Sequence, residues 1–409
     1  MQPEDRLHAL DAVRSSALLL GVVLHSCAAF LQDFPIPMWR DQPHAAPAVM
    51  YFVIHMFRMS AFYLMAGFFG RMLLERRGVR AFVKDRLKRI ALPLFLFGPV
   101  IFALIGVGFV LGALAHGTHF LTLLLAQQQN AQPPGATRGA NIDLAHLWFL
   151  YYLLIFYALA LPIRALVHAI GARQSVAGVC DRAVAWVIRG WWTPVVLGLP
   201  IALYLFLHRT WTEWLGLPAP GSLVPDTTAL IGYGIPFALG WLLQRQPPLL
   251  LQAHKQWGTY LVAAGALTVL CLSIIGLTPH WTGPTLFGRD RLLYAMAYSI
   301  GIWCWVFGFV GAAQRFLSHG SVATRYLADA SYWIYLMHMS SIVFFLTLMR
   351  PYHWHWSIKL IVMVGGSMPI LLVSYHFLVR FTWIGAILNG RRRPRPLRAP
   401  VAPAPSASG

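Results

Sequence analysis

The chain has 409 residues, 58% of them hydrophobic and only 11% charged, with a formal net charge of +19. Its mean hydropathy of +0.61 exceeds what a soluble core of this length needs, which excludes an ordinary soluble globular class and implies lipid as solvent. A uniformly basic soluble surface would point to nucleic acid. In a chain this apolar the excess Lys and Arg belong in loops at one membrane face, and no nucleic-acid partner is expected.

In chain order, apolar runs of the length a spanning helix needs, about twenty residues, lie at 11–31, 47–70, 90–115, 144–167, 191–209, 227–244, 258–278, 291–313, 329–349 and 358–380. The predicted fold is therefore all-α, a polytopic membrane protein of about ten transmembrane helices within residues 1–385. Of the 32 Lys and Arg, 23 fall in the termini and one alternating set of connections, 7 in the other set, and Arg14 and Arg58 inside runs. The positive-inside rule then predicts that both termini are cytoplasmic. Residues 386–409, ending in RRRPRPLRAPVAPAPSASG, lack apolar periodicity and are predicted to form a disordered, basic, Pro-rich cytoplasmic tail. Small residues at 26–29 (SCAA) would suit a signal-peptide cleavage site, but Glu4, Asp5, Asp11 and a His inside the apolar run are poor signal-peptide features. The four cysteines lack C-x-x-C spacing, and the pairs His116/His119 and His353/His355 have no evident third ligand, so neither disulfides nor a metal is expected.

Ionisable groups within spans are costly and usually functional. Arg14 and His25 lie in the first run, His55 and Arg58 in the second, His338 in the ninth and His376 in the tenth. The eleven-residue step from Arg14 to His25 is three helical turns plus roughly 20°, so the two share a face at a depth difference of about 16 Å. Asp11 is placed to hold Arg14 as an i,i+3 partner. Taken singly, Arg14 has a plainer role, snorkelling to the headgroups, and an isolated His can merely bond a neighbouring helix. Two spans that each pair a His with an Arg point instead to a buried cavity for anions and protons. All thirteen carboxylates lie outside the runs or at their edges, which weakens an ion-coupled transporter and excludes paired-carboxylate glycoside hydrolysis.

Five landmarks occur in order: Arg14-x10-His25 in LDAVRSSALLLGVVLHS, FYLMAGFF (62–69), DRLKRIALPL (85–94), HLWFLYYLL (146–154) and SYWIYLMH (331–338). This pattern resembles membrane acyltransferase family 3 along nearly the whole chain. One departure is His376 after Tyr375, where the family often has a Glu. The resemblance implies a bacterial inner-membrane O-acyltransferase that moves an acyl group from cytoplasmic acyl-CoA to a hydroxyl of an extracytoplasmic glycan. The stretch 54–73 is most similar to members thought to succinylate periplasmic glucans, which makes succinyl-CoA the expected donor, acetyl-CoA the alternative, and glucan-synthesis proteins candidate partners. No tightly bound cofactor is expected. On this reading His25 is the base, and Arg14, Arg86, Lys88 and Arg89 meet the CoA phosphates. His55 and Arg58 stabilise an oxyanion or an acyl carboxylate, and His338 lines the same cavity. Competing readings are an O-acetyltransferase of another envelope polysaccharide, a glycan or anion exporter, and a non-catalytic partner of a glycan synthase.

Overall fold

A computed structural model describes residues 3–34, 36, 39–116, 143–171, 173–208, 211, 216–250, 255–278, 285–318 and 321–390. Among these the fold is all-helical, without a β-strand. Its α-helices of six or more residues are α1 (Pro3–Cys27), α2 (Ala45–Arg86), α3 (Leu92–His116), α4 (Trp148–Ala169), α5 (Arg173–Arg189), α6 (Thr193–Leu207), α7 (Thr227–Leu243), α8 (Trp257–Ile275), α9 (Gly288–Phe316), α10 (Val322–Met349), α11 (Trp356–Ser374) and α12 (Trp383–Leu388).

Every one of the ten apolar runs falls on a helix, yet seven helices are long and apolar enough to cross a membrane, or up to eight if a bent pair is one span. Two runs share a continuous helical stretch, Ala45–Leu114, in which α2 passes through a π-turn (Leu87–Ala91) into α3. At about 1.5 Å per residue that stretch is far too long for one crossing. It breaks at Gly78, whose φ of 74° lies outside the helical region. The runs at 191–209 and 227–244 form helices of only 15 and 17 residues. The first of them, α6, is joined to α5 at a bend of 108°. The molecule is a multi-pass membrane protein.

Burial separates central from peripheral helices. The apolar windows of α1, α9 and α10 are 67%, 72% and 61% buried inside the protein, against 28% for α4, α8 and α11. In α2 every residue from Ile54 to Phe68 is buried, His55 and Arg58 included, as expected of a helix shielded from lipid by its neighbours. The close approach of α2 to α7 requires glycine: a Cβ on Gly67 would strike Phe237 O, and one on Gly240 would strike Leu64 O. α10 begins with a capping box in which Ser321 and Thr324 satisfy each other's backbone N–H groups.

Chain ends and connections sort to opposite ends of the bundle. Arg14, Arg86, Arg89 and Asn389 line one cavity, so the start of α1 and the described end of the chain lie together. Leu388 and Asn389, in the segment expected to be a tail, pack against the body, and Asn389 O accepts a bond from Arg89 Nη2 at 3.1 Å. Residues 391–409 lie outside the described residues. The connection after α1 is tied to the first turn of α11 by Lys359 Nζ and Asp41 Oδ2, 2.5 Å apart and largely buried.

Candidate active site

α1 carries Arg14, Leu18, Gly21 and His25 at i, i+4, i+7 and i+11, which keeps one face over three turns. Arg14 Nη2 meets Asp11 Oδ1 at 3.1 Å, the i,i+3 pair expected from the spacing, and its Cζ lies 5.7 Å from the Phe69 ring centroid. Arg14 and Leu18 border a cavity of about 200 Å³ together with Arg86, Arg89, Phe62 and Phe149. Arg86 and Arg89 share the Asp85 carboxylate at 2.7 and 3.3 Å, and Arg86 Nη1 donates to Tyr157 Oη at 3.3 Å. Lys88, the fourth expected phosphate ligand, is exposed and does not line this cavity. It sits in the π-turn, whose wider pitch departs from the 100° step on which spacing arguments rest.

Further along the same face, Gly21 leaves room for Arg58 of α2. A Cβ there would lie 2.5 Å from Arg58 Nη1 and 3.7 Å from His338 Nε2. One turn on, the His25 ring centroid is 5.2 Å from that of His338 (α10) and 6.5 Å from that of His146, which sits in the short helical turn leading into α4. His146 and His338 are 5.0 Å apart. Three imidazoles and one guanidinium, from four separate segments, thus meet in the protein interior. Among the described residues no three His, Cys, Asp or Glu side chains converge with metal-holding geometry.

Hydrogen bonds assign the tautomers. His338 Nδ1–H donates to Tyr335 O at 2.6 Å, and His146 Nε2–H donates to Leu336 O at 3.2 Å. A carbonyl only accepts, so each ring carries its proton on that nitrogen. In the neutral rings the opposite nitrogens, His338 Nε2 and His146 Nδ1, are bare lone pairs, and both are buried without a hydrogen-bond partner. Tyr335 braces the arrangement by donating its hydroxyl to His146 O at 2.6 Å.

Arg58 is 7% exposed, its Nε is buried without a hydrogen-bond partner, and no carboxylate of the described residues pairs with it. The phenols near it include those of Tyr63 and Tyr335, whose O–H groups are committed to backbone carbonyls. An arginine at the centre of a bilayer costs about 2.5–3.5 kcal/mol even on the mildest insertion scale. A cation kept there without a counter-ion is a ready receptor for an anion or a developing oxyanion. His55 is buried one turn before Arg58, but its ring stacks on Tyr51 at 5.6 Å, and among the described residues it makes no ring contact with the other three imidazoles. The i,i+3 step leaves it about 60° round the helix from Arg58. His376, far from this cluster in sequence, has its Nδ1 3.3 Å from the Tyr326 hydroxyl.

Sequence reasoning singled out His25, Arg58 and His338 but missed His146. Its only signal was its position at the head of HLWFLYYLL, since an isolated His before a helix has no periodic partner.

Comparison with known proteins adds identity to this geometry. The family model described as an acyltransferase domain, that of acyltransferase family 3, matches residues 7–376. Glucans biosynthesis protein C of Salmonella paratyphi B (strain ATCC BAA-1250 / SPB7) is 22% identical over 405 residues, covering 95% of this chain and 96% of that protein. The protein of the same name from Escherichia coli (strain SMS-3-5 / SECEC) is 22% identical over 407 residues, and that from Shigella dysenteriae serotype 1 (strain Sd197) 21%, with the same coverages. No solved structure matches. With a family model matched over nearly its whole length, residues 7–376, the chain belongs to acyltransferase family 3.

Proposed function

We propose that this membrane acyltransferase is an inner-membrane O-acyltransferase with both termini in the cytoplasm, moving a succinyl group from cytoplasmic succinyl-CoA to a hydroxyl of a periplasmic glucan. The observation that carries the reading is the buried Arg58, without a carboxylate partner among the described residues, beside three imidazoles and reached along the same α1 face that borders the arginine-lined cavity. The glucan is suggested by the name of the relatives. An O-acetyltransferase of another envelope polysaccharide shares every step below and differs only in the group transferred.

In this mechanism Arg14, Arg86 and Arg89 bind the CoA phosphates by charge-assisted hydrogen bonds, and the thioester arm runs along the α1 face past Leu18. Neutral His25 takes the proton of the attacking sugar hydroxyl as its oxygen bonds to the thioester carbon. The carbonyl oxygen becomes an oxyanion held by Arg58. As the tetrahedral intermediate collapses, the C–S bond breaks, the ester remains on the sugar, and His25 returns the proton to the CoA sulfur. His146 and His338, each a bare acceptor beside His25, steady its charged form during the step. Glucan-synthesis proteins are the natural partners for delivery of the acceptor.

The test offers radiolabelled succinyl-CoA or acetyl-CoA to inside-out vesicles loaded with glucan, with wild type and His25→Ala compared by mass analysis of the glycans. Wild type is expected to attach the label covalently, and His25→Ala to lose at least about 100-fold in rate. Movement of unmodified glucan without acylation would favour an exporter, and undiminished acylation by the variant would refute the role of His25. Charge-based separation distinguishes the products, because a succinyl ester adds a negative charge and an acetyl ester does not.

A further inference from the structure

A second, larger cavity of about 470 Å³ lies between α2, α4, α5 and α7 and shares no lining residue with the Arg14 cavity. Its size falls within the range of small-molecule sites. The walls are apolar, with Phe156, Ile163, Leu230 and Phe237, and Trp241 faces into it. Around it stand Arg71, Arg164 and Arg245 with the carboxylates Glu75 and Asp181. α5 forms one side. It is a polar-and-apolar helix set at 108° to α6, with Val179 and Trp186 exposed, the form of a helix lying in a membrane interface.

The charges of this rim do not cancel. Asp181 is fully engaged by Arg245 through two bonds of 2.8 Å. Glu75 alone faces both Arg71 and Arg164, at 3.9 Å from the Nε of each, too long for a hydrogen bond. Arg71 is largely buried, spends one N–H on Trp241 O at 3.2 Å, and leaves its Nε without a hydrogen-bond partner. Among the described residues one guanidinium is therefore in excess beside this apolar groove.

From this pairing of an apolar groove with two arginines that share a single carboxylate, one of them with an unbonded Nε, we propose that the groove is a binding site for an anionic phospholipid. One acyl chain lies against Phe156, Ile163 and Phe237, and the phosphodiester is held by Arg164 and Arg71. Charge complementarity selects this occupant over a zwitterionic lipid, whose ammonium would be presented to the same arginines. The site is independent of the proposed acyl-transfer chemistry.

Trp241 supplies the readout. The full chain is reconstituted in phosphatidylcholine nanodiscs containing graded fractions of lipid brominated on its tails, either phosphatidylglycerol or phosphatidylcholine. Subtracting the signal of Trp241→Phe isolates quenching at the groove. Half-quenching is expected at about fivefold lower mole fraction of the brominated anionic lipid, the preference one extra cationic side chain provides. Arg164→Gln is expected to abolish that preference and Arg164→Lys to retain part of it. Equal half-quenching by the two lipids after this subtraction would overturn the proposal, as would a preference unchanged in Arg164→Gln.

Discussion

Arg58 sets the terms at the scale of single residues. It is buried and without a carboxylate partner among the described residues, a state that costs folding energy and is sustained only if the charge is used. Replacing it separates stability from activity in a way a structural arginine would not. Arg58→Gln removes an uncompensated charge while leaving a side chain of moderate length, so the thermal midpoint in detergent is expected to rise or hold. Acyl transfer is expected to fall about 100- to 1,000-fold, the loss seen when an oxyanion donor is removed. A variant that unfolds at lower temperature while keeping its turnover would show that Arg58 is a packing residue. How much of this was legible in the sequence depends on what each residue's neighbours are. Arg14, His25 and Arg58 stand out because they interrupt apolar runs, and the Arg14–Asp11 pair follows from helical spacing. His146 stands at the very start of the run 144–167, in a short helical turn, so it became visible only when α10 was packed beside it.

Elements matter here through their faces. The regular helix of α1 is why the alignment of Arg14 with His25 could be read from a count of residues, since 3.6 residues per turn needs no tertiary information. Between them stands Gly21, which the sequence presents as one more small residue in a transmembrane run. Only the packed structure shows that the absence of a Cβ there lets Arg58 cross onto α1 next to His338. Gly21→Val is therefore expected to displace the guanidinium by about 1 Å or more, and misplacement on that scale costs roughly 100-fold in rate. Because the residue lies in a membrane helix with good helix-forming neighbours, insertion and expression should be unaffected. The measurement is turnover per folded molecule, with Gly21→Ala expected to lie between wild type and Gly21→Val. Equal turnover in all three would mean that Arg58 does not need its place over α1. The number of spans was the least legible feature of the elements. Every apolar run falls on a helix, but hydropathy cannot tell that α2 and α3 share one helical stretch through a π-turn or that α6 and α7 are short.

At the scale of the whole molecule the proposed transfer turns on which end of the bundle faces the cytoplasm, because its donor and acceptor would arrive from opposite sides. The structure puts the beginning of α1, the Arg86–Arg89 turn and Asn389 at one end, and the Asp41–Lys359 tie at the other. The loop charges favour the first end as cytoplasmic, since Lys and Arg concentrate there. Single cysteines read this directly. Cys27, Cys271 and Cys304 are buried, so replacing the partly accessible Cys180 with Ser leaves a background of low reactivity. Arg80→Cys, in the exposed segment after Gly78, is expected to react with a membrane-impermeant maleimide in inside-out vesicles and not in intact spheroplasts. His353→Cys, in the exposed connection between α10 and α11, is expected to show the reverse. Labelling of both from one side would break the two-ended arrangement. Labelling with the two sides exchanged would put the arginine-lined cavity on the periplasmic face, where a cytoplasmic acyl-CoA could not reach it, and the direction of acyl transfer proposed for His25 would have to be abandoned.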